Sequence, residues 1–180
     1  DAGSRSVYHY IRLLLDRGFH VTFWPDNMHY DPQYVPHLQE MGVEVIYGME
    51  YLDRFKPWMD MAGDDLDYIL LSRPHISMKY IDDIKASFKG KVLYYGIDLH
   101  YKRMELEYKV TGDPKLLHDI AEVKNQELTL CCTVDLYMYP SQDEIDVIRA
   151  EIGPEHAGIA IPLNIFSDDE IIPFDAAALA

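Results

Sequence analysis

Cysteine is scarce in this chain. The 180 residues contain two cysteines, Cys131 and Cys132, which are adjacent in the sequence. Neighbouring side chains late in a predicted helix diverge, so these two cannot form a disulfide without distortion. The fold therefore depends on an apolar core, and low cysteine use is typical of a reducing compartment. We expect a cytoplasmic setting.

Basic residues are also few. Sixteen lysines and arginines stand against 31 aspartates and glutamates, which gives a formal charge of -15. A surface of this charge repels phosphate backbones and anionic bilayers unless a basic patch is locally concentrated. The balance argues against nucleic acid as a partner.

Long apolar segments are absent. No stretch approaches about 18 uninterrupted apolar residues, and no secretory signal is visible. The first residue is Asp1 and not methionine. We therefore expect an excised fragment, for which a signal or membrane anchor elsewhere in the protein stays open.

Several cofactor and catalytic motifs are missing. A dinucleotide-binding loop needs three glycines, but after Gly3 the second and third positions hold Arg5 and Tyr8. Ser72 and Ser141 lack the glycines that flank a hydrolase nucleophile. No group of His, Cys and Asp has the usual spacing of metal ligands. We expect no cofactor and no resident metal.

What remains is a globular composition with alternating strand and helix patterns. Hydrophobic residues make up 48% of the chain and aromatic residues 12%, enough for one domain with its own core. Alternation of this kind predicts an α/β fold with a doubly wound, mostly parallel, Rossmann-like sheet. The predicted strands are 19–24, 43–47, 66–71, 92–95, 136–139 and 159–163. The predicted helices are 4–18, 33–41, 51–59, 77–90, 101–110, 113–131 and 141–150. Ser77 and Ser141 are the predicted N-terminal caps of two of them.

The start of the chain predicts an incomplete sheet. A glycine turn that opens a helix normally follows a strand, and nothing precedes Asp1. We expect the first strand to be missing. The sheet would then have a gap in its middle or would borrow a strand from another molecule.

Short polar segments recur where the predicted strands stop. The carboxyl ends of parallel strands lie along one edge of a sheet, where ligands of open α/β folds bind. We therefore expect these segments to converge on one crevice. They are residues 1–6, 25–27, 72–75, 96–100 and 140–141.

Gly3, Ser4 and Arg5 form the first candidate site. Backbone N–H groups and the positive end of a helix dipole can face an anion such as a diphosphate. The alternative is an ordinary turn in which Ser4 or Ser6 caps the helix.

Arg73 and His75 flank Pro74 after the predicted strand 66–71. The apolar run of that strand, broken only by Asp67, predicts burial on both faces of a parallel sheet. An arginine in so acidic a protein indicates an anionic partner, and a phosphate would fit its forked geometry. A salt bridge to Asp98 or Asp26 is the alternative. His75 could bind a sugar hydroxyl or polarise a leaving group, or could be a packing residue.

Asp98 and His100 are two residues apart, so in an extended segment they point to the same side. Asp98 is a candidate catalytic carboxylate, or else a cap for the helix that starts at Tyr101. Lys102 and Arg103 lie near the start of that helix, where its dipole disfavours cations. We expect a partner for them, either Glu107 or a bound phosphate.

These segments together resemble the N-terminal domain of family-4-like glycosyltransferases, which have the two-domain GT-B fold and, in bacteria, build surface polysaccharides such as O-antigen and rhamnan. The resemblance runs from Asp1 to about Phe166. Its most specific elements are Asp1-Ala2-Gly3-Ser4-Arg5-Ser6, Leu71-Ser72-Arg73-Pro74-His75-Ile76, Tyr95-Gly96-Ile97-Asp98-Leu99-His100 and Asp135-Leu136-Tyr137-Met138-Tyr139-Pro140-Ser141. Residues 161–166 correspond loosely to the segment that leads into the second domain of the family.

The resemblance implies a sugar transfer in a cleft between two domains. Residues 1–166 would form the acceptor-side domain, and 167–180 a tail or the start of a linker to an absent C-terminal domain that holds the nucleotide sugar. The acceptor would be a glycan or a lipid-linked glycan, with peripheral membrane contact in the full protein and no metal. The fragment alone would be inactive.

The resemblance also implies roles for the candidate residues. Gly3, Ser4 and Arg5 would approach the donor diphosphate. His75 and Asp98 would be catalytic, and the remaining candidates would bind donor or acceptor; these are Arg73, His100 and Arg103.

A non-catalytic Rossmann-like binding or assembly module is the other hypothesis. In that case the same side chains cap helices and pair with one another. Projection of Arg73, His75, Asp98 and His100 into one open crevice favours the enzyme, and mutual burial favours the module.

Overall fold

A computed structural model describes residues 2–163. The end of the expected 1–166 domain and the expected tail 167–180 lie outside the described residues. Helices and strands alternate, with short 3-10 turns at Met49–Tyr51 and Gly63–Asp65. The elements are α1 (Ala2–Asp16), β1 (Thr22–Phe23), α2 (Val35–Glu40), β2 (Glu44–Val45), α3 (Phe55–Ala62), β3 (Tyr68–Ser72), α4 (Pro74–Ser87), β4 (Lys91–Tyr95), α5 (His100–Thr111), α6 (Leu116–Thr133), β5 (Leu136–Tyr139), α7 (Gln142–Ile152) and β6 (Gly158–Ala160).

The strands form two parallel sheets. β1 pairs with β2, and the second sheet has the order β3-β4-β5-β6 with every neighbouring pair parallel. Tyr94 in β4 lies opposite Leu71 in β3 and Tyr137 in β5. The expected α/β class with a parallel, Rossmann-like sheet is confirmed.

The division of the sheet agrees with the expected discontinuity. In the part of the chain that the structure describes, β1 pairs with β2 alone and β3 with β4 alone. Side chains connect the two parts: the Trp24 ring lies 5.3 Å from that of Phe55, and the Phe19 ring lies 6.2 Å from that of Tyr68. The identity of any strand that would fill the gap stays a prediction.

The apolar core has two clusters. The larger one packs α4, α6 and α7 against the four-strand sheet, and its fully buried members include Ile84, Tyr94, Leu130, Tyr137 and Ile148. The smaller one packs α1 and α2 against the two-strand sheet through residues Ile11, Val35, Val43 and Val45.

The expectation that residues 66–71 are buried on both faces of the sheet is wrong. Tyr68 is 54% exposed and Leu70 42% exposed, whereas Leu71 is buried. β3 is the edge of its sheet, and the larger core covers only the face that carries Ile69 and Leu71. The sequence of β3 does not show this one-sided burial, because its apolar residues occupy both faces of the strand.

Local sequence signals predict one helix start correctly and others wrongly. Ser141 caps α7 as expected, because its hydroxyl accepts the Glu144 N–H while Glu144 binds the Ser141 N–H in a capping box. Ser77 does not cap α4, because the helix already begins at Pro74, whose fixed φ suits a first helical position. Ser4 and Ser6 likewise lie inside α1, so their expected capping role is wrong.

Candidate functional site

The segments after β3, β4 and β5 lie at one edge of the four-strand sheet. Because these strands are parallel neighbours, their carboxyl ends point the same way. Arg73 follows β3, Asp98 lies in the segment after β4, and Ser141 lies between β5 and α7. This part of the predicted convergence agrees with the structure.

Arg73 forms a one-residue junction between β3 and α4. Its φ of 69° and ψ of 121° lie in a region that favours glycine, and its carbonyl accepts the Ser77 N–H at 2.9 Å. Such a conformation costs on the order of 1–3 kcal/mol and persists only where its surroundings impose it. Arg73 is exposed, and its position between β3 and α4 places it at the carboxyl edge of the sheet.

Asp26, which follows β1, contacts two residues of α4. Its Oδ2 accepts a 2.8 Å hydrogen bond from Lys79 Nζ, and its Oδ1 accepts one of 2.8 Å from the Tyr80 hydroxyl. Burial acts to raise the pKa of Asp26, but these bonds and the nearby His75 together lower it. Burial and the bond to Asp26 raise the pKa of Tyr80 to about 12. Lys79 forms an ion pair with Asp26, and His75 is exposed nearby.

Asp98 pairs with Arg103. Its Oδ2 accepts a hydrogen bond from Arg103 Nε at 2.8 Å. The N-cap position of α5 is Leu99, so the alternative in which the Asp98 side chain caps that helix is wrong. Lys102 Nζ pairs with Glu105 at 3.0 Å, at a spacing of three residues, and the expectation of Glu107 as its partner is also wrong.

His100, the first residue of α5, is held through its Nδ1 atom. Nδ1 lies 3.1 Å from the Asp98 carbonyl oxygen, 3.3 Å from Glu127 Oε1 and 3.5 Å from Asp98 Oδ1. The hydrogen bond to Glu127 outweighs the effect of burial and raises the pKa of His100.

Two glutamates hold the start of α5. The fully buried Glu127 of α6 accepts the backbone N–H groups of His100 and Tyr101, each at 3.1 Å. Glu144 of α7 accepts the Leu99 N–H at 3.1 Å. These carboxylates bind N–H groups that have no partner within the helix, and negative charge is favourable at a helix N-terminus.

Sequence reasoning missed Glu127, Glu144, Lys79 and Tyr80. The signal for Glu127 was its position seven residues after Ile120 and three before Leu130, on the inward face of α6. The signal for Lys79 was its place one helical turn after His75. Their partners come from distant parts of the chain, which local spacing does not show.

A shallow groove lies between α5 and α7 beside these residues. Its volume is about 250 Å³, with Leu99, Leu106 and Val147 as apolar walls and with Asp98 and Arg103 at its edge. Its remaining lining residues are Lys102, Asp143 and Glu144. Three apolar and five charged residues line the groove, and its volume lies just below the range of about 300–1,000 Å³ that is typical of small-molecule sites.

Helix α1 contacts the end of β4 through Tyr10. The rings of Tyr10 and Tyr95 are 5.0 Å apart, and Ser6 is fully buried. Gly3 is buried within α1, and Ser4 and Arg5 are exposed in the same helix. The expected glycine turn at Gly3 is wrong, because α1 already includes it. Ser4 and Arg5 still lie in the first turn of this helix.

The candidates that follow β3 and β4 fall into two groups. Arg73 and His75 are exposed, whereas Asp98 and His100 are partly buried and contact one another. Arg103 belongs to the second group through Asp98. The exposure of Arg73 and His75 therefore favours the enzyme, whereas the contact between Asp98 and His100 favours the non-catalytic module.

Metal-binding clusters and membrane-spanning helices are both absent from the described part of the chain. Within residues 2–163, no group of three or more His, Cys, Asp or Glu residues could hold a metal ion. None of the described helices has the length and apolar character needed to cross a bilayer.

Comparisons with family models, curated proteins and solved structures each gave no match. The resemblance to glycosyltransferases therefore depends on the quoted sequence segments and stays a prediction.

Proposed function

We propose that this chain is the acceptor-side domain of a glycosyltransferase that moves a sugar from a nucleotide-sugar donor to a glycan or lipid-linked acceptor. The observation that carries the proposal is the set of segments after β3, β4 and β5 at one sheet edge. Arg73, Asp98 and Arg103 lie in or directly after these segments. Ligands of open α/β sheets bind at this edge.

The strained backbone at Arg73 supports a role beyond folding. A glycine would adopt its φ of 69° without strain, yet the chain has an arginine there. Backbone strain clusters at ligand-binding and catalytic sites. In a chain of charge -15, an exposed guanidinium at this edge suits an anionic ligand such as the donor diphosphate.

The groove between α5 and α7 supports an acceptor site. Its apolar walls suit the hydrophobic face of a sugar ring or lipid, and its charged edge supplies hydrogen bonds to hydroxyl groups. The donor nucleotide would be held by a C-terminal domain, and the transfer would take place in the cytoplasm. Contact of the full protein with a membrane surface belongs to the same proposal.

The direct test is turnover by the full-length protein. It is incubated with a panel of nucleotide sugars, and release of nucleoside diphosphate is measured with and without glycan acceptors. Arg73→Ala and Asp98→Ala should each lower the rate at least about tenfold, as expected for loss of transition-state contacts. The control is Lys89→Ala, because Lys89 forms an exposed ion pair with Asp64. Full activity in both site variants, or no release from any donor, contradicts the proposal.

A non-catalytic binding or assembly module is the second candidate. The pairing of Asp98 with Arg103, and of His100 with Glu127, favours it, because these side chains already satisfy one another. For this module, Asp98→Ala lowers the melting temperature, and no nucleotide sugar is consumed. Measuring both quantities on the same samples separates the two functions.

A further inference from the structure

The atoms around His100 carry an inference about proton transfer. Three oxygen atoms lie within 3.5 Å of Nδ1: the Asp98 carbonyl, Asp98 Oδ1 and Glu127 Oε1. A carbonyl oxygen and carboxylate oxygens only accept hydrogen bonds. The contacts are therefore satisfied when Nδ1 carries a hydrogen.

In neutral imidazole only one ring nitrogen carries a hydrogen, so the other has a free lone pair. With Nδ1 protonated, that lone pair is on Nε2. No hydrogen bond to Nε2 is present among the described residues, and the His100 side chain is 22% exposed at the carboxyl edge of the sheet. The ring is thus partly accessible with its second nitrogen unoccupied.

We propose that Glu127 and His100 form a carboxylate–imidazole pair in which Glu127 fixes the Nδ1–H form and His100 Nε2 accepts a proton from an acceptor hydroxyl. Glu127 is the positioning residue: it is fully buried, and it also binds the backbone N–H groups of His100 and Tyr101. It therefore fixes the ring and the backbone that carries it. The hydroxyl substrate follows from the proposed function and rests on it.

In the proposed transfer step, the acceptor oxygen replaces the diphosphate oxygen on the anomeric carbon of the donor. Nε2 takes the proton of the acceptor hydroxyl, and the electron pair of that O–H bond forms the new bond from oxygen to the anomeric carbon of the donor. The bond between that carbon and the diphosphate oxygen breaks, and its electron pair leaves with the diphosphate. The buried Glu127 carboxylate stabilises the resulting imidazolium.

The pH dependence follows from the surroundings of His100. Several charged or titratable groups face it or its bonded carboxylate, and they come from each packed element: Asp98 in the preceding loop, Arg103 of α5, Glu127 of α6, Tyr139 of β5, and Glu144 of α7, which holds the adjacent Leu99 N–H. The bond to Glu127 raises the pKa of His100, so the ring stays charged to a higher pH than free histidine. Proton acceptance needs the neutral ring, so the rate should rise as pH increases through this raised value.

The test uses nitrogen-15 NMR of the chain with labelled histidine. The His100 signals are assigned by their loss in His100→Gln, since the sequence has eight histidines. Above its pKa, His100 should show a protonated Nδ1 and an unprotonated Nε2, because the bond at one nitrogen selects the tautomer. A spectrum with the hydrogen on Nε2 overturns the inference without any variant.

Glu127→Gln tests the role of the carboxylate, and Glu144→Gln is its matched control. Both variants alter a glutamate that accepts a backbone N–H at the start of α5, but only Glu127 contacts the His100 ring. Glu127→Gln should lower the pKa of His100 and weaken its Nδ1–H preference, and Glu144→Gln should keep both. An unchanged His100 in Glu127→Gln overturns the role of Glu127. If Glu127→Gln does not fold, the wild-type tautomer decides.

Turnover separates this inference from the proposed function. In the full-length protein, His100→Gln should lower transfer roughly 100-fold, the usual scale for loss of a general base. If sugar transfer is observed but His100 carries its hydrogen on Nε2, the Glu127–His100 pair is wrong and the glycosyltransferase function stands. If His100 shows the expected tautomer but no nucleotide sugar is turned over, the glycosyltransferase function and the hydroxyl substrate are wrong and the Glu127–His100 pair stands.

Discussion

Asp26 Oδ1 accepts a 2.8 Å hydrogen bond from the Tyr80 hydroxyl, and this bond connects the segment after β1 to helix α4. The two-strand sheet and the four-strand sheet share no strand pairing within the described residues. Side-chain bonds such as this one therefore hold the two parts together.

We predict that Asp26→Asn lowers the free energy of unfolding by about 1–2 kcal/mol at neutral pH, the scale of a hydrogen bond to a charged group. The folded-state pKa of Asp26 lies below its ordinary value, so its contribution is present above the unfolded pKa. The contribution is lost as pH falls through the folded pKa. Urea unfolding of both proteins from pH 7 down to pH 2 measures the difference.

The control for this prediction is Asp60→Asn. Asp60 pairs with Lys56 at 2.9 Å, but both side chains are about half exposed. Exposed pairs of this kind contribute a few tenths of a kcal/mol. Equal losses in the two variants, or a loss in Asp26→Asn that does not depend on pH, would contradict the role of Asp26.

Arg73→Gly should raise stability and lower function. Glycine adopts a φ of 69° without strain, so we expect the free energy of unfolding to rise by about 1 kcal/mol. Asp82→Gly, in the middle of α4, should instead lose about 1 kcal/mol because glycine weakens a helix interior. Chemical unfolding measures the free energy of unfolding of both variants. A loss in Arg73→Gly as large as that in Asp82→Gly would show that Arg73 is not strained.

The two cysteines should differ in reactivity. Cys131 is buried, and burial raises the pKa of its thiol to about 12, whereas Cys132 is exposed. Since the thiolate is the reactive form, iodoacetamide should modify Cys132 first in the native protein. Cys131 should react only after unfolding, as followed by mass spectrometry. Cys132→Ser should leave the native protein almost unreactive, and fast labelling of that variant would contradict the burial of Cys131.

Gly96→Ala should destabilise the end of β4. A Cβ atom at Gly96 would overlap the ring of Tyr139, which is fully buried and cannot move away easily. Overpacking of this type costs about 1–3 kcal/mol. Gly63→Ala is the control, because its Cβ would meet only the flexible end of Met59 at 3.1 Å. Thermal unfolding compares the two, and equal melting temperatures would contradict the close approach at Gly96.

Local signals predicted much of the fold. β5 has its predicted bounds of 136–139, and Ser141 begins α7 through bonds within three residues. Gly112, with φ of 66°, ends α5 within the predicted break. The exposure of Tyr68 could not be predicted this way, because it depends on which strands flank β3 and not on the sequence of β3.

The sequence predicted where the candidate site residues lie better than it predicted which residues they contact. The sequence singled out Arg73, Asp98 and His100 because parallel strands must end at a common edge. It did not identify Glu127, because the contact with His100 spans 27 residues and needs α5 and α6 to pack side by side. Arg103 was expected to pair with Glu107 or a bound phosphate, but its partner in the structure is Asp98.

The exposed aromatic and aliphatic side chains of β3 affect how the protein behaves in concentrated samples. Within the described residues β3 pairs on one side only, and a strand edge that carries the exposed Tyr68 and Leu70 is a template for pairing with another molecule. The charge of -15 keeps molecules apart at low salt, but the Debye length shrinks to about 10 Å at 0.1 M ionic strength. Added salt should therefore promote self-association of this chain, which light scattering at constant protein concentration would detect.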